Sequence, residues 1–185
     1  MESKQKIEVP VMADLFAKGK KPDILYWVGC AGAFDARYMK VAKAFAVILN
    51  HIKANYAVLG TEETCNGDPA RRAGNEMLFQ MQALMLIETF KMYEVKKIVC
   101  ICPHCYNVLK NEYPDLGGEY EVVHYTEYLE NALKTGLLKV DKSKLTGKTV
   151  TFHDPCYLGR ANDIYSAPRY LLNELGMQHT EMERN

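Results

Sequence analysis

Short apolar runs of strand length alternate along this chain with longer stretches whose apolar positions recur at helical spacing. Ile24-Leu25-Tyr26-Trp27-Val28 is a continuous apolar run that predicts a buried strand. Residues 36–53 place Val41, Ala44, Phe45, Ile48 and Leu49 along one side of a helix. Residues 56–59 form a second strand, ended by Gly60. Asp68-Pro69 then offers an N-cap followed by proline at the first helical position. The helix behind it carries Met77, Leu78, Met81, Leu84 and Met85, a face expected to lie in the core. A third strand follows at 97–101, then a short helix at 106–113 stopped by Pro114, and a fourth strand at 121–123. Thr126 caps a helix that runs through Leu133 and ends near Gly136. Residues 149–152 give a fifth strand, 168–175 a last helix, and 180–182 a closing strand. Ahead of these elements, residues 1–21 read as an arm with a short helix at 12–18 and the linker Lys18-Gly19-Lys20-Lys21-Pro22.

Strands alternating with helices predict an α/β fold: a parallel sheet with helices on both faces, in a Rossmann-like doubly wound arrangement. The turn after the first strand, Gly29-Cys30-Ala31-Gly32-Ala33-Phe34, does not spell the Gly-x-Gly-x-x-Gly of dinucleotide binding. Hydrophobic residues make up 48% of the 185, and 23 Lys and Arg balance 23 Asp and Glu. Those values exclude a disordered chain. They also argue against a nucleic-acid partner, which needs a basic surplus. The longest apolar runs fall far short of the ~20 residues that span a bilayer, so no transmembrane segment is expected. The first residues show no secretory signal pattern, which places the protein in the cytoplasm.

Six cysteines change the picture: Cys30, Cys65, Cys100, Cys102, Cys105 and Cys156. In a reducing compartment they point to metal ligation or redox chemistry rather than to disulfides. Cys30, Cys65, Cys102 and Cys156 each follow a predicted strand, and Cys105 lies one turn beyond Cys102. In a parallel sheet the carboxyl ends share one edge, where open α/β folds build their sites. There are 34 residues between Cys30 and Cys65 and 36 between Cys65 and Cys102, and Cys102-Pro103-His104-Cys105 is a Cys-x-x-Cys turn. Cys30, Cys65, Cys102 and Cys105 are therefore the candidate ligands, four thiolates suited to zinc or to an iron–sulfur cluster.

At these residues the chain resembles the cysteine-rich, CCG-type domain family of heterodisulfide-reductase-like iron–sulfur oxidoreductases. That family's pattern is a cysteine, a gap of thirty to forty residues, Cys-Cys-Gly, a similar gap, then Cys-x-x-Cys, usually present twice. Cys30, Cys65, Cys102 and Cys105 match it, with Asn66 in place of the second cysteine of the pair. The stretch 67–76 also resembles family members, and His153-Asp154-Pro155-Cys156-Tyr157-Leu158-Gly159-Arg160 resembles the opening of a second copy. The resemblance implies a first cysteine-rich unit over 22–148 and the start of an incomplete second unit over 149–185, part of a longer protein. With Asn66 removing a fifth ligand, it implies an ordinary four-ligand cluster, 4Fe-4S, with zinc as the alternative.

Other residues carry plainer expectations. Cys100, inside the third strand, is a small core residue, and Cys156, without its partners, a free thiol. His104 faces solvent or supports a ligand, and His124 and His153 are packed or exposed. Arg71 and Arg72 form a solvated pair. Three functions remain open: an iron–sulfur oxidoreductase component serving a redox partner, a structural or interaction module holding zinc on four cysteines, or a metal-free thiol protein with a Cys102–Cys105 redox disulfide.

Overall fold

In the computed structural model, residues 7–183 are described; residues 1–6 of the expected arm, and 184–185, lie outside them. Helix α1 (Met12–Ala17) precedes strand β1 (Ile24–Trp27), which runs straight into a short helix α2 (Gly29–Phe34) and the longer α3 (Tyr38–His51). Strand β2 (Tyr56–Ala57) is followed by α4 (Asp68–Arg72) and α5 (Glu76–Met92). Strand β3 (Lys97–Cys100) leads into α6 (Pro103–Asn107) and a π turn at Val108–Glu112. Then come β4 (Glu121–His124), α7 (Tyr125–Lys134), β5 (Thr149–Val150), α8 (Ser166–Glu174) and β6 (Gln178–His179).

The main sheet has the order β2-β1-β3-β4, with every pair parallel. Its strands are apolar on both faces, as burial on both sides requires. Leu25, Trp27, Ile98, Cys100 and Val122 face a core built with α5 and α6. Ile24, Tyr26, Val99 and Ile101 face a second core with α3, where Val123, Tyr125 and Leu129 also pack. The two-residue alternation between cores is the period of the strand itself. From β1 the chain crosses outward to β2 and then back past β1 to β3. The topological switch therefore falls between β1 and β3, the place where such sheets open a crevice at their carboxyl edge.

Three expectations need correction. The predicted fifth strand does not join this sheet: β5 pairs only with β6, which lies at 178–179 rather than 180–182. The residues after α7 start a separate two-stranded ribbon, so Cys156 reaches the carboxyl edge from outside the main sheet. Met77, Leu78, Met81, Leu84 and Met85 are exposed, while α5 buries Phe79, Ala83, Leu86, Ile87 and Phe90. That helix is apolar on two sides, and the aromatic and branched side wins the core. Helix boundaries also move: Gly67, in the left-handed region, is the residue before α4, and His124 rather than Thr126 caps α7.

Candidate functional site

All four predicted ligands follow carboxyl ends of the main sheet. Cys30 lies on the first turn of α2, after β1, and is exposed. The sequence pattern placed it in a turn; β1 instead passes directly into helix. Cys65 is half-buried in the loop after β2, where the Gly67 N–H lies 3.5 Å from its sulfur. Cys102 is the N-cap of α6 and Cys105 is buried in that helix. Cys30 and Cys65 line one cavity of about 620 Å³. Among the described residues, no three His, Cys, Asp or Glu side chains come together closely enough to hold one metal ion. The four thiols share an edge, with Cys102 and Cys105 in direct contact and Cys30 turned to solvent.

The electrostatics of the pair are unequal. The Cys105 thiol donates to the Cys102 sulfur, and the backbone N–H groups of Cys105 and His104 face the same sulfur; together they lower the Cys102 thiol to about 6 against the opposing effect of burial. The same contact, with burial, pushes the Cys105 thiol well up. Cys102 is thus the thiolate of the pair near neutral pH. Cys100 faces the α5 core, fully buried, and burial raises its thiol well above the usual range.

Several residues without a signal in the sequence pattern hold these segments in place. Glu63, two residues before Cys65, accepts hydrogen bonds from the backbone N–H of Gly29 at 2.5 Å and of Val28 at 3.2 Å. It thereby ties the Cys65 loop to the start of the Cys30 helix, and burial lifts its carboxyl to about 7. Tyr113 donates its hydroxyl to the Asn66 carbonyl at 3.1 Å. Arg71 and Arg72, expected to be solvated, instead grip Glu112 of the π turn at 2.8 and 2.6 Å, and Asn107 donates to the same carboxylate. These contacts join the Cys65 segment to the helix that carries Cys105. The Arg-Arg pair was the available sequence signal, since two adjacent guanidiniums beside a helix call for a carboxylate.

His104 is half-exposed and holds Asp68 through Nδ1 at 3.0 Å, with its ring 4.5 Å from that of Tyr157. His153 is exposed. His124 is buried: Nε2 lies 3.2 Å from the Ile101 carbonyl and Nδ1 2.7 Å from the Thr126 hydroxyl. A carbonyl only accepts, so the Nε2–H tautomer fits this arrangement. Cys156 is exposed, and it lines a largely apolar cavity of about 580 Å³ together with Cys102, His104 and His124.

Comparison with known proteins shows the family of the chain. The cysteine-rich domain family matches residues 24–110 and again residues 150–185. The chain belongs to that family. It is 46% identical over 179 residues to the probable iron-sulfur-binding oxidoreductase FadF of Bacillus subtilis, covering 96% of this chain and 25% of that protein. It is 48% identical over 166 residues to the EtfAB:quinone oxidoreductase of Syntrophomonas wolfei, covering 90% of this chain and 23% of the relative. It is 36% identical over 173 residues to a subunit of the dihydromethanophenazine:CoB--CoM heterodisulfide reductase of Methanosarcina mazei, covering 89% of this chain and 41% of that subunit. The chain thus spans a quarter or less of the first two relatives' length and less than half of the third's. No solved structure matches it. Among the described residues, no helix is long and apolar enough to cross a membrane.

Proposed function

We propose that this chain is the iron–sulfur module of an oxidoreductase, with Cys30, Cys65, Cys102 and Cys105 as ligands of a 4Fe-4S cluster. The observation that carries the reading is the Cys102–Cys105 pair at the switch between β1 and β3, with Cys30 and Cys65 brought to the same edge by neighbouring parallel strands. The donor set fits a sulfur-rich group: four soft thiols, and two buried N–H donors, Trp27 Nε1 and Asn66 Nδ2, without a hydrogen-bond partner among the described residues. Gly29 adds room, because a Cβ there would lie 3.2 Å from the Cys105 sulfur. A bound cluster would supply one-electron chemistry. The protein's part is to hold Cys102 as thiolate, to keep Cys105 dry, and to leave Cys30 near the surface where a redox partner can approach. Electrons would pass singly to that partner, and reduction of a disulfide would take two such transfers and two protons.

On this reading residues 22–148 form the first cysteine-rich unit and 149–185 the start of a second, and the setting is the cytoplasm. The test is anaerobic reconstitution with iron and sulfide, followed by iron and sulfide analysis and a visible spectrum. Broad absorption bands with iron and sulfide bound are expected. A colourless protein with stoichiometric zinc, or one that takes up neither metal with all four thiols reduced, overturns the reading.

A further inference from the structure

Trp27 ends β1 with its ring 1% exposed and its plane fixed by an edge-on contact with Phe90, centroids 5.9 Å apart. Its indole N–H makes no full hydrogen bond to any of the described residues. A buried N–H without an acceptor costs about 1–3 kcal/mol, and each such group in a folded protein calls for an explanation. Phenylalanine would fill most of the same space without that cost. The indole nitrogen nonetheless lies beside a candidate acceptor. An ideal Cβ on Gly29 would meet the Cys105 sulfur at 3.2 Å and Trp27 Nε1 at 3.5 Å, so the two atoms flank one small gap that glycine keeps open. A second unpartnered donor, Asn66 Nδ2, belongs to the residue that follows Cys65 in the chain. The orphaned indole beside a candidate ligand indicates that its missing acceptor is a sulfur atom carrying negative charge.

We infer that the Trp27 indole N–H donates a hydrogen bond to the Cys105 sulfur of the metal-loaded site and raises the reduction potential of the cluster. The inference rests on the iron–sulfur reading above. Its physical basis is simple. Reduction adds negative charge to the cluster and its thiolates, and an N–H aimed at a ligand sulfur stabilises the more negative state more strongly. The site is closed to water on this side, so the donor acts in a medium of low dielectric. Trp27 acts through Cys105 and is a positioning and tuning residue, not a ligand.

The experiment compares the unaltered chain with Trp27→Phe, both reconstituted anaerobically and matched for iron per chain. A dye-equilibrated redox titration followed in the visible spectrum should give a more negative midpoint for Trp27→Phe. Equal midpoints at equal iron content overturn the inference. If Trp27→Phe does not fold or load, the unaltered chain loaded with ¹¹³Cd decides the matter. The sequence holds a single tryptophan, so one indole signal appears in the ¹⁵N–¹H spectrum. Loading should shift that proton downfield, slow its exchange and split it by coupling to the metal through the sulfur; an unchanged indole signal overturns the inference. If the unaltered chain takes up no iron, the iron–sulfur reading fails, while the cadmium measurement still decides whether the hydrogen bond exists.

Discussion

Glu63 accepts the Gly29 N–H at 2.5 Å, so a carboxylate two residues before Cys65 is clamped onto the first turn of the helix that carries Cys30. The second bond, from the Val28 N–H, makes the clamp two-pronged. Removing it leaves two backbone donors without partners in a half-buried turn. Glu63→Ala should cost about 1–3 kcal/mol of stability, read by urea unfolding, and lower the metal bound per chain. Glu63→Gln, which keeps one acceptor oxygen, should fall between the two. Metal content unchanged in Glu63→Ala would show that the clamp does not position the ligands.

His124 sets a pH dependence whose sign follows from its burial. Desolvation lowers its pKa from the ordinary 6.5 to about 4, the bond to the Ile101 carbonyl opposing only in part. The unfolded chain therefore takes up the proton first. The stabilising contribution is present above pH 6.5 and is lost as the pH falls toward 4. Between pH 7 and pH 5 this group alone should remove about 2 kcal/mol, given the shift from 6.5 to about 4. His124→Asn retains a capping acceptor at the start of α7 but does not titrate. Urea unfolding at the two pH values should show a smaller acid loss in His124→Asn than in the unaltered chain; equal losses would show that His124 is not held neutral.

Cys100 tests the choice of ligands. Its sulfur is fully buried and donates to the Val123 carbonyl at 3.9 Å, on the adjacent strand. Cys100→Ala should leave metal content intact and cost about 1 kcal/mol through packing alone. Loss of metal would mean that the wrong thiol of β3 was set aside.

The strands that make the main sheet were legible because each is a short run of apolar residues bounded by turn signals, and a strand buried on both faces has no other composition. The carboxyl-edge placement of Cys30, Cys65, Cys102 and Cys105 followed from that alternation alone. Helix α5 was misread because periodicity marks a face without saying what it meets. Met77, Met81 and Met85 repeat at the same spacing as Phe79, Ala83 and Ile87, and only packing against Trp27 and Ile98 decides between them. Thr149 and Val150 looked like one more strand, and their partner could not be read, since pairing with Gln178 and His179 is a long-range choice. Glu63, Glu112 and Trp27 were missed for a different reason. Their roles depend on which loops the sheet brings together, and a lone carboxylate or indole has no spacing to betray it.

Arg169 holds the segment that resembles the start of a second copy. Its guanidinium donates to both oxygens of the buried Asp154, at 2.8 and 2.7 Å, and also to Glu181. Asp154 lies two residues before Cys156, and Glu181 lies just past β6, so one side chain joins the loop to the ribbon. Arg169→Ala removes the guanidinium that joins Asp154 to Glu181 and should lower the stability of this segment. Cys156 should then react faster with a thiol-alkylating reagent, while Cys105, buried in α6, keeps its rate. Parallel acceleration of both thiols would show that the loop and α6 open as one unit.

Asn66 decides how many thiolates the site can offer. It occupies the position of the second cysteine in the Cys-Cys-Gly of the family, is 3% exposed, and leaves Nδ2 without a partner among the described residues. Its side-chain oxygen accepts the Asp68 N–H at 3.2 Å, which fixes the turn into α4. An amide oxygen is a poor ligand for iron among thiolates, so this chain is expected to bind at most a four-thiolate site. Asn66→Cys restores a fifth sulfur and should change the visible spectrum and the iron count of an anaerobically reconstituted sample. Asn66→Ser is the control, because its hydroxyl still accepts from the turn and adds no soft ligand. Both variants lose the amide donor equally, so a difference between them reports the thiolate alone. Identical spectra and iron counts for the two would show that the side chain at position 66 does not reach the site, and that this loop matches the family in sequence without matching it in geometry.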